Sequence, residues 1–168
     1  MKYILLIGIL TIISLAGCTT TTQLQSNNPA GSVEPSVITT FREQAGEACT
    51  QDGKPIIRLY STTWCPHCEW VKDSFDNIAK EYIEQGKIAA YHWEMDSGDN
   101  TLTDYNEKGV PKDEEEALKE FDSEGYVPAF SFGCKYIRIG NGYEEKGSIG
   151  KAMEEAEFRK IIEELISE

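Results

Sequence analysis

The chain has 168 residues, enough for one globular domain with a hydrophobic core but too few for two comfortable ones. It carries 29 acidic and 16 basic side chains, for a formal net charge of −13 at pH 7. This acidity argues against a nucleic-acid partner, because phosphate backbones are bound by clustered Lys and Arg. We expect most of the acidic side chains to form a solvated surface.

The N-terminus predicts an export signal over residues 1–17. One lysine precedes an apolar run of about 14 residues, which is shorter than the roughly 20 that a membrane-spanning helix needs. Leu15-Ala16-Gly17-Cys18 resembles the lipobox of prokaryotic lipoproteins. That resemblance implies cleavage before Cys18 and lipidation of its sulfur. The alternative is an uncleaved anchor with an incidental cysteine, and either arrangement places the folded part outside the cytoplasm.

Residues 18–36 are polar and predict a flexible tether, and residues 37–168 are the expected folded domain. Acyl chains on Cys18 would hold the protein to the lipid bilayer at the extracytoplasmic face of a prokaryotic membrane. Five cysteines are present, so assigning Cys18 to lipid leaves four. Four thiols in an oxidising compartment can form two disulfides.

The folded domain begins with a segment, residues 37–49, that predicts a short helix ending near Gly46. Residues 55–60 read PIIRLY and predict a central strand, because both of its faces are apolar. Helical spacing of apolar residues continues from 65 to about 85, and residues 87–95 predict a second strand. Strand, helix and strand then form a βαβ unit with a parallel pair.

Residues 97–112 are polar and are expected to be irregular. The acidic segment between Asp96 and Pro128 is interpreted first as solvated surface, with substrate contact as the second interpretation. Asp113 is expected to cap a helix. Residues 128–132 and 135–139 predict a hairpin of two short strands, and residues 151–166 predict an amphipathic helix. The fold class is therefore α/β, with a central mixed sheet of about four strands flanked by helices.

Residues 61–70, STTWCPHCEW, place two cysteines at the junction between the first strand and the first long helix. There the Cys65 sulfur would face unpaired backbone N–H groups and the positive end of the helix dipole, which favour a thiolate. Pro66 suits the first helical turn, and His67 adds a hydrogen-bond donor that is positive when protonated. We expect Cys65 to be the exposed, attacking sulfur and Cys68 to be the more buried, resolving thiol. Pro66 and His67 would tune the pair toward oxidation.

The region of about residues 50–167 resembles the thioredoxin superfamily. Trp64-Cys65 matches the entry to the family's motif, and Pro66-His67 matches the DsbA-type periplasmic disulfide oxidases. Val127-Pro128 matches the family's cis-proline, whose preceding backbone pairs with an extended substrate peptide. The resemblance implies a thioredoxin-like fold, a thiol–disulfide oxidoreductase without a cofactor, and substrate binding by Trp64, Val127 and Pro128.

One departure concerns proton transfer. Many members of the superfamily have a buried carboxylate six residues before the first cysteine, and this chain has Leu59 there. Proton transfer from Cys68 would therefore need water or another group.

The functional hypothesis is a membrane-anchored oxidoreductase that forms or exchanges disulfides in exported proteins. A membrane redox partner would recycle the Cys65/Cys68 pair. Reductase or isomerase activity is the second interpretation. A copper-binding or copper-delivery role is a further alternative, since thiols with His67 and His92 could in principle bind a metal.

The remaining cysteines predict a structural disulfide. Cys134 follows Pro128 by six residues, which is about 20 Å along a strand from the end of the sheet that holds the cysteine pair. Its strand should run antiparallel to residues 55–60, whose start lies just after Cys49. The two cysteines should therefore meet at the opposite end of the sheet, although a second redox relay is an alternative.

Overall fold

The computed structural model of the protein describes residues 37–168. The expected signal peptide (1–17), the tether (18–36) and the lipidation site Cys18 lie outside the described residues. Within residues 37–168, no helix is both long and apolar enough to cross a membrane. In chain order the elements are β1 Arg42–Glu43, β2 Thr50–Gln51, β3 Lys54–Ser61, α1 Pro66–Glu84, β4 Ala89–Glu94, β5 Asp99–Asn100, α2 Lys112–Phe121, β6 Ala129–Phe132, β7 Tyr136–Ile139, a 3-10 helix Glu144–Ile149, and α3 Gly150–Ser167.

The strands form a mixed sheet in the order β1-β7-β6-β3-β4-β5, and β2 pairs with the start of β3. Strands β3 and β4 are parallel, as a strand–helix–strand unit requires, and every other pair is antiparallel. The four strands expected from the sequence form the centre of this sheet. Three strands of two residues each add to it. The predicted α/β class, with a mixed sheet and flanking helices, is confirmed.

The two faces of the sheet are covered by different helices. Ile57 and Leu59 of β3 pack in the main core with residues of α1 and α3. The next residue along β3, Tyr60, packs instead with Leu118 of α2 in a smaller cluster on the opposite face. Successive side chains of a strand point to opposite faces of the sheet. Because β3 has apolar residues at consecutive positions, both of its faces are buried.

The helix predicted over residues 37–49 is wrong. The structure has a bend there and then β1, which pairs with β7. The backbone N–H groups of Thr39 and Thr40 donate to Oε1 of the buried Glu157, at 2.5 and 2.9 Å. Phe41 packs beside Phe132 in the main core. The buried carboxylate of Glu157 therefore satisfies these two backbone N–H groups and holds the segment against α3.

The acidic segment after β4 is more structured than the sequence predicts. It contains β5, and α2 begins at Lys112 with Pro111 as its N-cap, so Asp113 lies in the first turn and does not cap the helix. Glu114 and Leu118 are buried against the sheet. The expectation of a solvated surface is wrong for this face of α2, because Glu114 forms a two-pronged ion pair with Arg58 at 2.8 and 2.9 Å.

The turn between β6 and β7 places Cys134. Gly133 and Cys134 have φ values of 60° and 55°, and the N–H of Lys135 donates to the carbonyl of Phe132 at 3.1 Å. A Cβ atom at position 133 would lie 2.7 Å from Cδ2 of Leu165. The positive φ and the close approach of Leu165 therefore both favour glycine at this position.

Candidate active site

The cysteine pair lies where β3 ends and α1 begins. Cys65 is the N-cap residue of α1, and Pro66 occupies the first helical turn, where its missing N–H costs no hydrogen bond. The Sγ atom of Cys65 accepts a hydrogen bond from the backbone N–H of Cys68 at 3.4 Å. The sulfur therefore faces the positive end of a helix of 19 residues, where a negative charge is stabilised.

Both cysteines are free thiols, and both are buried. Cys68 is 2% exposed and Cys65 is 5% exposed, so the expectation that Cys65 is exposed is wrong. The carbonyl oxygen of Val127 lies 3.8 Å from the Cys65 sulfur and helps to cover it.

Burial raises the pKa of the Cys68 thiol to about 12. The neighbouring Cys65 sulfur adds to this effect, while the backbone N–H of Thr62 acts in the opposite direction. At neutral pH Cys68 is therefore a thiol, and it must lose a proton before it can act as a nucleophile.

His67 contacts a residue that the sequence does not single out. Its Nδ1 atom lies 2.8 Å from Oε2 of Glu144, and Asn141 donates to the same carboxylate oxygen at 2.8 Å and to the His67 carbonyl at 2.9 Å. Burial opposes ionisation of Glu144, but the hydrogen bonds from Asn141 and His67 outweigh it and lower the pKa of this carboxyl group. Glu144 and Asn141 follow β7, 77 and 74 residues beyond His67, so no local pattern could identify them.

The Val127–Pro128 peptide bond is cis and faces the cysteine pair. Beside it runs a groove of about 690 Å³, and its wall is formed by the loop after β7. The lining residues are His67, Val127, Pro128, and 140–146. Trp64, the residue before Cys65, does not line this groove, and its side chain is 73% exposed. Tyr126, the residue before Val127, is 63% exposed.

Cys49 and Cys134 form a disulfide at the opposite end of β3. The Cys49 N–H donates to the Gly133 carbonyl at 2.8 Å, which ties the segment before β2 to the β6–β7 turn. Nη1 of Arg58 lies 3.7 and 3.8 Å from the two sulfur atoms. The second cysteine pair therefore lies against the buried ion pair that fixes α2.

A buried polar chain joins the end of β3 to α1. Oγ of Ser61 lies 2.8 Å from Nε2 of His92, and Nδ1 of His92 lies 2.6 Å from Oδ1 of Asp76. Thr101 contributes its hydroxyl at 2.8 Å from the same Nδ1 and donates to Oδ2 of Asp76 at 3.0 Å. Ser61, His92 and Asp76 come from β3, β4 and α1, and the sequence pattern indicated none of their contacts with one another. We refer to this group as the Ser61–His92–Asp76 chain.

Metal ligands are not grouped in the part of the chain that the structure describes. No set of three or more His, Cys, Asp or Glu residues within 37–168 is placed to hold a metal ion. His67 and His92, the two histidines considered for copper, instead bond to Glu144 and Asp76.

Two curated proteins show local similarity to the chain. The M-type chloroplastic thioredoxin of Pisum sativum is 33% identical over 57 residues, which is 34% of this chain and 32% of the relative. The M-type chloroplastic thioredoxin of Spinacia oleracea is also 33% identical over 57 residues, or 34% of this chain and 30% of the relative. The match thus spans about a third of the length of these relatives. No protein-family model and no solved structure matches the chain. The similarity supports a relationship with the thioredoxin-like superfamily.

Proposed function

We propose that the protein is a thiol–disulfide oxidoreductase that forms or exchanges disulfides in exported proteins. Its similarity to thioredoxins, together with the paired cysteines, suggests redox chemistry of this general kind. The observation that carries the proposal is the position of Cys65, whose sulfur caps α1 and accepts the Cys68 N–H. A cysteine that serves only to cross-link the fold needs no such position at a helix N-terminus.

The geometry supports a division of roles between the two thiols. Cys65 is the nucleophile, since its sulfur lies between the helix N-terminus and the Val127 carbonyl, where a substrate must approach. Cys68 then attacks the resulting mixed disulfide, forms the Cys65–Cys68 bond, and releases the substrate thiol. In the reverse direction, a substrate thiolate attacks the Cys65–Cys68 disulfide and Cys68 leaves.

The groove beside the cis-proline is the proposed substrate site. An extended peptide could add along the backbone at Val127, and its side chains could enter the groove between His67 and the loop after β7. Trp64 and Tyr126 precede Cys65 and Val127 directly in the sequence, are exposed, and would supply apolar contact area.

The favoured direction is oxidation of the substrate, as in DsbA-type oxidases. The hydrogen bond from Cys68 to the Cys65 sulfur stabilises the dithiol form, and stabilising the reduced form makes the pair more oxidising. His67 would add to this effect when protonated, although Glu144 offsets its charge. Reductase or isomerase activity remains the second direction, because the recycling partner also determines the flow of electrons.

The reduction potential of the Cys65/Cys68 pair tests the direction. Purified protein would be equilibrated anaerobically in graded glutathione buffers, alkylated, and mapped by mass spectrometry. We expect a potential well above that of thioredoxin and nearer the roughly −120 mV of strong oxidants. A value near thioredoxin's roughly −270 mV would instead assign the protein to the reductases. Isolation of the pair with bound copper, resistant to titration, would overturn the redox proposal.

We further propose that the chain is a lipoprotein on the extracytoplasmic face of a prokaryotic membrane. The support is Cys18 in its lipobox-like context, after an apolar run. Cys18→Ala is expected to abolish labelling by a radioactive fatty acid and to leave the signal peptide uncleaved. The measurement is autoradiography of membrane and soluble fractions, with the unchanged protein as control. Fatty-acid labelling and processing that persist in the variant would disprove the assignment.

A further inference from the structure

The burial of Cys68 creates a requirement for a proton acceptor. Its pKa is raised far above neutrality, so its attack on a mixed disulfide needs a group that takes the thiol proton. Residue 59 lies on the same face of β3 as Ser61 and is a buried leucine, which offers no such group. If the protein itself supplies the acceptor, it must come from the polar residues that the fold brings to this end of the sheet.

The Ser61–His92–Asp76 chain has the polarity that such an acceptor needs. Asp76 and Thr101 present oxygen atoms to Nδ1 of His92, while the Thr101 hydroxyl gives its own proton to Asp76. Nδ1 therefore carries the ring proton, and Nε2 accepts from the Ser61 hydroxyl. This arrangement leaves the lone pairs of Ser61 Oγ available to receive a second proton.

Ser61 is the member of the Ser61–His92–Asp76 chain that is nearest in sequence to the cysteine pair. Ser61 is the last residue of β3, and the N–H of the next residue, Thr62, lies near enough to the Cys68 sulfur to affect its pKa. The Ser61 side chain points toward α1, since its partner His92 bonds to Asp76 of that helix, and Cys68 is also on α1. No direct hydrogen bond joins Ser61 to Cys68 in the described residues. One bridging water molecule would complete the path.

We propose that the Ser61–His92–Asp76 chain accepts the proton of Cys68 during resolution of the mixed disulfide. This inference rests on the proposed function. The proton passes through the bridging water to Oγ of Ser61, while the hydroxyl proton of Ser61 passes to Nε2 of His92. The Cys68 thiolate then attacks the Cys65 sulfur, the Cys65–Cys68 bond forms, and the bond from Cys65 to the substrate sulfur breaks. The substrate thiolate leaves with the electron pair, and the imidazolium of His92 is balanced by Asp76. The reverse sequence returns the proton to Cys68.

Asp96 is a charged group that also acts on Cys68 and raises the pKa of its thiol. Its carboxylate is exposed, and hydrogen bonds from Thr63 lower its own pKa, which makes it a poor proton acceptor. Against His92, α1 presents Asp76, β3 presents Ser61, and the β5 side presents Asn100 and Thr101. In the hydrogen bonds and ion pairs of the described residues, Asp76 is the charged group that contacts the ring.

The same three residue types form the hydrolytic triads of serine enzymes, with the same order of hydrogen bonds. Ser61 is only 3% exposed and His92 only 1%. A hydrolytic nucleophile must reach its substrate, and this serine is enclosed between the sheet and α1. Burial therefore favours transfer of a proton over attack on a substrate.

The test separates the two chemical steps in time. Reduced protein is mixed with dithiobis(nitrobenzoate). In a first phase Cys65 attacks the reagent, forms a mixed disulfide with one aromatic thiol and releases the other. In a second phase Cys68 resolves the mixed disulfide and releases the attached aromatic thiol. Stopped-flow absorbance measures both phases between about pH 6 and pH 11. In Ser61→Ala and His92→Gln we expect the first phase to be unchanged and the second to slow at least about tenfold at neutral pH. The deficit should shrink as the pH approaches the pKa of Cys68, where hydroxide removes the proton.

Matched variants make the result decisive. Ser74→Ala removes another buried serine hydroxyl, one that donates to Glu155 and lies outside the chain, and it should leave both phases unchanged. If His92→Gln does not fold, the same measurement is made on Ser61→Ala and Asp76→Asn. Each of these removes one group from the Ser61–His92–Asp76 chain with little change in side-chain volume. The proposal would be overturned if the rate of the second phase in these variants stays within about twofold of that of the unaltered protein. It would also be overturned if that rate falls by the same factor at every pH. Loss of both phases in the unaltered protein would instead refute the proposed function.

Discussion

Replacement of Cys65 with serine is expected to abolish thiol–disulfide exchange, while replacement of Cys68 with serine should trap the protein in a mixed disulfide. The reason is that the Cys65 sulfur caps α1 and lies 3.8 Å from the Val127 carbonyl, beside the proposed substrate groove. Without Cys68, the intermediate on Cys65 lacks the thiol that resolves it. We expect activity in the Cys65→Ser protein to fall by about a hundredfold or more, to the level of free thiols in the assay.

The measurement is the rate at which the protein oxidises a reduced, unfolded model substrate in a glutathione buffer. Non-reducing mass spectrometry would detect the adduct of the Cys68→Ser protein. The two variants are matched, since each removes one sulfur from the same helix end and leaves the Cys49–Cys134 disulfide in place. Exchange that survives in Cys65→Ser would show that another thiol is the nucleophile and would refute the assignment of roles.

Replacement of Arg138 with leucine is expected to cause the largest loss of stability. Arg138 forms ion pairs with Glu154 and with Glu157, at 3.6 Å in the second case, and it donates to Thr40 at 2.7 Å. Both glutamates have fully buried side chains. Removing the arginine leaves two carboxylates buried without a countercharge, which costs about 3–5 kcal/mol of unfolding free energy.

The pH dependence of this loss has a definite sign. Burial raises the pKa of Glu154 even though Arg138 acts to lower it, so without Arg138 the folded-state pKa rises further. Between its ordinary pKa and its raised folded-state pKa, such a carboxyl group binds more protons in the folded protein than in the unfolded chain. The free energy of unfolding therefore falls as the pH rises through this window, and the loss in Arg138→Leu should be smaller near pH 5 than near pH 7.

Urea denaturation followed by fluorescence at both pH values checks this prediction. Arg159→Leu is the matched control, because its side chain is 42% exposed and pairs with the exposed Glu81, so its effect should stay within about 1 kcal/mol. Equal effects of the two substitutions would contradict the prediction. A loss for Arg138→Leu that grows on acidification would contradict the proposed origin in buried carboxylates.

Local sequence features determined the elements that hold the cysteine pair. Apolar periodicity fixed β3, α1, β4 and α3 to within a few residues, because each buries a regular face that the pattern reveals directly. Residues 65–68 were assigned to a strand–helix junction by the same pattern, with Pro66 in the first turn as the local chemistry requires. The segment 37–49 was misassigned as a helix, since its partner Glu157 lies more than 100 residues away and no local pattern reports it.

By itself, then, the sequence determined where the Cys65/Cys68 pair lies and what class of fold presents it. Only the tertiary structure decided what surrounds that pair. The contact between His67 and Glu144 and the Ser61–His92–Asp76 chain join residues from different elements, and so does the ion pair that buries Glu114. Secondary structure follows from the spacing of neighbouring residues, whereas hydrogen bonds between distant polar side chains depend on sheet register and helix packing. Those are properties of the whole fold, and they set both the burial of Cys68 and the group proposed to take its proton.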